Sequence, residues 1–258
     1  MRNRSIGVDG SMIVKEVYAK NILSKSKVSD YTINPYVGCE HGCTYCYARF
    51  MKRFTGHNEE WGSFVDVKIN ATSLLENEIR RKKAGKVWIS GVCDPYQPLE
   101  KKYELTKCCL KILLKEAWPV TVQTKSPLVL RDLELLRKFE EIEVGFTITT
   151  ADEDIRRIFE PNSPPIKQRI EALEKLHSAG VKTFAMIAPI LPKTEGLAAQ
   201  LSGKVDNVLV DRLNYHYADR VYRRYKMECA MTNTFFDLKK MELANTLEKE
   251  GINYELLF

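Results

Sequence analysis

Hydrophobic positions along this chain change period repeatedly. Short apolar runs rich in β-branched and aromatic residues fall at 31–34, 64–69, 87–90, 120–124, 144–149, 181–188 and 208–210. They alternate with stretches in which apolar residues recur every three to four positions, at 73–84, 105–116, 130–139, 166–179 and 236–249. The first pattern predicts strands and the second amphipathic helices. Strands alternating with helices imply right-handed crossovers and a parallel sheet, so the expected fold class is α/β. Six or seven such units fit a parallel (β/α) barrel or partial barrel better than a small doubly wound sheet. Residues 1–30 read as an extension laid over a main domain at 31–258, which no linker or repeat divides.

In folds of this kind the chemistry collects where strand C-termini feed the following loops. Four such loops carry the unusual residues: Asn34 to Cys39, Gly91 to Tyr96, Lys125 to Pro127 and Ala188 to Pro192. Polar or Gly/Pro-rich loops at one rim describe the mouth of a site.

Composition narrows the class. The 258 residues, 44% of them hydrophobic, suffice to bury about three quarters of the unfolded surface without disulfide staples. No apolar run approaches the ~18 residues of a membrane span, and the first ten residues lack a signal-peptide core. A cytoplasmic protein with no membrane partner is expected. The 40 Lys+Arg against 34 Asp+Glu give a mild +6. Residues 1–30 carry six basic and three acidic groups, and a second cluster places Arg220, Arg223, Arg224 and Lys226 among Tyr222 and Tyr225. Basic groups interleaved with aromatics suit a nucleic-acid backbone and its bases, although solvated helices show the same pattern. No Gly-x4-Gly-Lys, Gly-x-Ser-x-Gly or His-Glu-x2-His string is present, so three common enzyme classes lose their main signal.

The seven cysteines are not spread as a disulfide framework. Cys108 and Cys109 lie in a helix-period run as core and near-core fillers, and Cys93 and Cys229 stand alone. Cys39, Cys43 and Cys46 crowd into eight residues, an arrangement that in a reducing compartment points to a metal centre. Two metals suit soft thiolates. An iron–sulfur cubane would take three of its corners from them and keep one iron open. Zinc would need a fourth ligand from His41, His57 or Cys93.

The string Asn34-Pro35-Tyr36-Val37-Gly38-Cys39-Glu40-His41-Gly42-Cys43-Thr44-Tyr45-Cys46-Tyr47-Ala48-Arg49 resembles the signature of radical S-adenosylmethionine (radical SAM) enzymes, in the branch of spore photoproduct lyase and its DNA repair photolyase-like relatives. Asp94-Pro95-Tyr96-Gln97-Pro98-Leu99-Glu100, Thr124-Lys125-Ser126-Pro127, and the stretch from Ile148-Thr149-Thr150 to Glu160-Pro161 are similar to further blocks of that branch. The resemblance covers 31–192 and leaves 193–258 as a substrate-side segment.

The resemblance implies the partial barrel and the following chemistry. Cys39, Cys43 and Cys46 would ligate a [4Fe–4S] cluster whose open iron takes the amino and carboxylate groups of SAM. One electron, from a donor such as a flavodoxin or ferredoxin, would then release a 5′-deoxyadenosyl radical that abstracts hydrogen from substrate, with DNA or RNA a candidate. Tyr45 matches the aromatic near adenine. Lys125, a point charge at a strand end, suits the methionyl carboxylate, while Ser90, Asp94, Ser126 and Thr149 could satisfy ribose and amino groups. Arg156 and Glu160 read as a pair on one helix face. The lyase places its hydrogen-donor cysteine three residues before the aspartate, where this chain has Gly91, so Cys93 is displaced by two positions. Cys93 and Tyr47, the latter matching an aromatic that relays a radical, are the catalytic candidates. His216 could reach the mouth, and His177 is read as structural. The rivals are a zinc- or iron–sulfur-stabilised nucleic-acid-binding protein and an electron carrier without SAM chemistry. The blocks around Asp94, Lys125 and Thr149 argue against a carrier, which needs no such rim.

Overall fold

The computed structural model describes residues 4–8, as backbone only, and 12–258. The described residues group into two compact units. One runs to Gly42 and resumes over Ala48–Glu143; the other comprises Cys43–Tyr47 and Val144–Phe258.

The first unit contains two sets of strands. β1 (Arg4–Val8) pairs antiparallel with β2 (Met12–Val17). After β3 (Leu23–Lys25), β4 (Tyr31–Ile33) and β5 (Tyr36–Val37), the chain reaches β6 (Phe64–Lys68), then β7 (Val87–Ile89) and β8 (Val120–Thr124). β4, β7 and β8 run parallel, with Ile33 opposite Ile89 and Ile89 opposite Val122, and β3 closes the edge antiparallel to β4. Those three residues are fully buried, each contributing about 1.5–3 kcal/mol of burial. The helices Ala71–Ile79 and Leu105–Lys115 belong to the same unit. Leu105, Cys109, Leu110 and Leu113 are buried along one face of the second helix, while Cys108 is only half-buried.

One expected barrel strand lies elsewhere. β6 is a strand, as its alternation predicts, but it joins a separate four-stranded sheet of order β1-β2-β6-β5. The reason is local: β5 follows β4 after two residues and pairs antiparallel with β6, Tyr36 opposite Val67. β2 pairs with the other edge of β6 in parallel. Val14, Tyr36, Val65, Val67 and Leu105 form this sheet's core. The helix expected at 130–139 is also different, a 3-10 segment Pro127–Asp132 running into one α-turn, Leu133–Leu136. Ser126 caps it by accepting from the Leu128 N–H, so the coil starts at the proline.

β9 (Ile142–Thr147) leads into the second unit, where the strand order is β9-β10-β11-β12, with β10 at Lys182–Ile187, β11 at Asn207–Val210 and β12 at Tyr254–Leu256. β10, β11 and β12 are parallel. β12 was not visible as a strand in the sequence because three residues with one exposed Glu make no period. Glu153–Phe159, Ile166–Ser178 and Asn233–Lys249 are the main helices. Both units are thus α/β with parallel strands. Among the described residues no helix is long and apolar enough to cross a membrane.

Candidate functional site

The cysteine stretch leaves β5 through Gly38, whose φ of +89° suits glycine and whose Cβ, if present, would lie 2.3 Å from the Phe64 carbonyl oxygen. A side chain cannot pass there. At Gly42 the neighbouring backbone is Gly62, where a Cβ would stand 2.7 Å from the Gly42 Cα. Between them the chain turns, the Gly42 N–H donating to the Cys39 carbonyl at 3.2 Å.

The loop after β7 holds this turn by its polar side chains. Gln97, fully buried, accepts from the Glu40 N–H at 3.0 Å and donates to the Gly38 carbonyl at 3.4 Å, gripping both sides of Cys39. Glu40 reaches back to accept from the Leu99 N–H at 2.7 Å. Asn34 accepts from the N–H groups of Gly91 and Val92. Asp94 gathers the most donors: Tyr96 N–H and the Thr124 hydroxyl on one oxygen, Lys125 N–H on the other at 2.7 Å, with His41 Nδ1 at 3.4 Å. Burial alone would raise its carboxyl, but His41, Thr124 and Lys125 outweigh burial and bring it down to about 2. Glu100, also fully buried, accepts from the Tyr36 hydroxyl, from the N–H groups of Thr106 and Lys107, and from Arg131. Burial raises its pKa, partly offset by those donors.

In the second unit the remaining part of the stretch, Cys43–Tyr47, is held by the end of the helix Glu153–Phe159. The Phe159 carbonyl accepts from the Thr44 N–H at 2.8 Å and from its hydroxyl at 3.2 Å. The Tyr45 hydroxyl donates to the Glu160 carboxylate, which also accepts from Thr149 at 3.0 Å. Arg169 lies 2.6 Å from the other Glu160 oxygen, both side chains fully buried. Its remaining donors reach the carbonyls of Pro164 and Thr147 and the Ser163 hydroxyl. A buried pair holds only when its other donors are satisfied, and this one meets that condition. The Glu160 side chain pairs with Arg169 where the sequence suggested Arg156. Arg156 instead binds Glu153 and the carbonyls of Glu160 and Ser163, because Arg169 occupies the Glu160 carboxylate.

The sequence-predicted residues therefore fall into distinct environments. Cys39 and Cys43 are buried and Cys46 is half-buried. Cys93 donates to Ser90 at 3.3 Å and packs against the core of the four-stranded sheet. Burial pushes its thiol up to about 12, so it stays protonated. Lys125 is half-buried, its N–H on Asp94. Tyr47 is exposed and stacks on Tyr215 at 5.9 Å between ring centroids, and Tyr215 stacks on Tyr217 at 6.1 Å. His216 is exposed beside Asp219, and His177 pairs with Asp206. Gln97, Glu40, Asn34 and Arg169 carry the loop without having been singled out by type. The available signal for Arg169 was a charge on the apolar stripe of its helix.

The donor set suits an iron–sulfur group, with three thiol-bearing residues on one short stretch fixed at several backbone points. Each thiolate of a cubane binds a different iron, so the sulfurs need not converge on a point. Among the described residues no three of His, Cys, Asp and Glu converge as ligands of one ion. His57, a proposed zinc ligand, has both ring nitrogens on carboxylates, Glu59 at 2.8 Å and Asp66 at 3.0 Å.

The family model of the radical SAM superfamily matches residues 33–196, a span that includes all three cysteines. The chain belongs to the radical SAM superfamily. It is an enzyme of that superfamily. An uncharacterized protein of Methanocaldococcus jannaschii is 35% identical over 249 residues, 92% of this chain and 94% of that protein. One of Mycobacterium tuberculosis is 30% identical over 170 residues, 63% of this chain and 50% of that protein. Among solved structures, a spore photoproduct lyase variant with bound AdoMet and dinucleoside spore photoproduct aligns with a TM-score of 0.68 at 18% identity. That alignment covers 95% of this chain and 81% of the lyase, and it shows a shared radical SAM fold.

Proposed function

We propose that this radical SAM enzyme binds a [4Fe–4S] cluster on Cys39, Cys43 and Cys46, with SAM beside it, and acts on a nucleic-acid substrate. When bound, these groups supply reductive cleavage of SAM to a 5′-deoxyadenosyl radical that abstracts hydrogen. The observation that carries the reading is the superfamily match across a cysteine stretch anchored on both sides of Cys39 and again between Cys43 and Cys46.

The chain's own groups have defined tasks in this reading. Gln97, Glu40 and Asp94 hold the loop in the geometry the thiolates need. Thr149 and Glu160 fix Tyr45, whose ring then lines the cofactor side. Lys125 offers its ammonium to the SAM carboxylate, from a backbone position set by Asp94. Ser90 and Ser126, buried at the ends of β7 and β8, complete the polar lining. Cys93, protonated by burial, stands as a hydrogen donor, and Tyr47 begins the exposed aromatic ladder Tyr47–Tyr215–Tyr217. Exposed Arg220, Arg223, Arg224 and Lys226 lie in the same unit as that ladder. Stacking faces with nearby cations suit unpaired bases and their phosphates. The spore photoproduct lyase of the structural comparison binds a dinucleoside photoproduct, in keeping with this class of substrate. A flavodoxin or ferredoxin in the cytoplasm would deliver the electron.

The test is formation of 5′-deoxyadenosine by anaerobically reconstituted, reduced protein, with and without single-stranded oligonucleotides. Wild type should form it and the Cys43→Ala variant should not. Product from the variant, or none from wild type carrying a reducible cluster under either condition, would refute the proposal.

A further inference from the structure

Tyr222 sits on the short helix Asp219–Arg224 with its side chain wholly buried. Its ring packs on Phe159, 4.6 Å between centroids. Phe159 is the residue whose carbonyl grips Thr44, which directly follows Cys43 in the stretch to Cys46. Tyr222 belongs to the same apolar cluster as Cys43 and Tyr45, and Cys46 packs against that cluster. The other buried members, Ile155, Leu191, Ala218 and Ala230, have no polar side-chain atom.

A phenol at such depth ordinarily finds an acceptor. The Tyr222 hydroxyl has no hydrogen-bond partner among the described residues. An unmet buried hydroxyl costs about 1–3 kcal/mol, a cost that phenylalanine would avoid while filling the same apolar space. Burial, reinforced by the charge of Asp219, raises its pKa, so the group remains a neutral donor. The described residues therefore do not supply its acceptor. Cys43 shares this cluster and Cys46 packs against it, so a sulfur of a group ligated there would supply such an acceptor.

We propose that Tyr222 donates a hydrogen bond to a sulfur of the iron–sulfur group held by the cysteine stretch, and thereby sets its reduction potential. The inference rests on the cluster assignment above. Cluster sulfurs carry negative charge that increases on reduction, so a donor stabilises the reduced form and raises the potential. Tyr222 would act as a tuning residue and take no part in the chemical step.

The experiment compares wild type with Tyr222→Phe and, as a differently shaped apolar substitute, Tyr222→Met. Both variants should bind iron and sulfide as wild type does, and both should show a midpoint potential shifted to more negative values. An exchangeable proton coupled to the reduced cluster, seen by electron–nuclear double resonance in H2O and lost in D2O, should disappear in both. Without cluster, Tyr222→Phe should be as stable as wild type or more so. Unchanged potentials with the proton coupling retained would overturn the proposal. A cluster-free Tyr222→Phe protein destabilised as by a lost hydrogen bond would also overturn it, since the hydroxyl would then have a partner within the protein. Wild type that binds no iron removes the cluster reading and this one together. Iron bound with an unshifted potential removes this one alone.

Discussion

Replacing Asp94 with Asn isolates the residue that ties the loop after β7 to the end of β8 and to His41. The carboxylate accepts from two backbone N–H groups, a hydroxyl and an imidazole nitrogen. Its pKa is lowered from 3.8 to about 2. At about 1.4 kcal/mol for each pH unit, this contributes about 2–3 kcal/mol to folding at neutral pH. An amide has one acceptor oxygen, so Asp94→Asn must turn an NH2 towards donors on one side. The expected loss at pH 7 is about 2–4 kcal/mol. The sign with pH follows from the direction of the shift. A depressed carboxyl stabilises fully above its unfolded value of 3.8 and loses that contribution as pH falls towards 2. Urea unfolding of the cluster-free protein, followed by circular dichroism, should show the full difference between wild type and variant at pH 7 and pH 5. The difference should shrink between pH 4 and pH 2.5. A loss under about 0.5 kcal/mol at pH 7, or a difference unchanged down to pH 2.5, would refute the assignment of Asp94 as a charged hub.

The other predictions concern separate anchors. Gly38→Ala meets both an unfavourable φ and the Phe64 carbonyl, so it should cost about 2–4 kcal/mol and prevent retention of iron, read by thermal melting and an iron assay; normal iron content would remove Gly38 from the loop's requirements. Arg169→Met removes the guanidinium from the buried Glu160 carboxylate and should destabilise by about 3–5 kcal/mol, while Arg169→Met with Glu160→Leu should recover part of that in urea titrations. Tyr215→Ala should weaken binding of a single-stranded oligonucleotide by about 1–3 kcal/mol. Neutralising Arg223 and Arg224 should instead flatten the salt dependence of that binding. Fluorescence anisotropy measures both, and unaltered affinity in all three variants would argue for a different substrate.

Much of the fold could be read from periodicity because β4, β7, β8, β10 and β11 bury side chains against helices of matching stripe. Leu105–Lys115 and Ile166–Ser178 lie within a residue of their expected bounds for that reason. Periodicity could not say which sheet a strand joins. Phe64–Lys68 alternates like its neighbours, yet its sheet partners are β2 on one edge and, on the other, two residues, Tyr36 and Val37, too few to show a pattern. The helix Ala71–Ile79 ends earlier than its apolar spacing suggests, where Arg80, Arg81, Lys82 and Lys83 bring four positive charges into succession. The cysteine stretch was legible from residue type and spacing. The partner of Glu160 was not, since Arg156 at four residues is the local choice and Arg169 is brought in only by the following helix.

The residues around the cysteines also show why a motif can be recognised without its roles being apparent. Asn34, Glu40, Asp94 and Gln97 each accept from a main-chain N–H of another block. A main-chain donor leaves no mark on the sequence, because every residue but proline supplies one. Only the acceptor half of each contact is written in residue type, and it reads as an isolated polar residue in a loop, the same appearance a ligand-binding residue would have. Asp94 and Thr149, cofactor-contact candidates in the sequence, each have protein partners, Thr124, Lys125 and His41 in one case and Glu160 in the other. Lys125 is different in kind: its backbone is fixed by Asp94 while its charge sits on a side chain of four methylenes, only half-buried. In the proposed function that side chain is the one offered to the SAM carboxylate, and the Asp94 contact sets where its backbone starts.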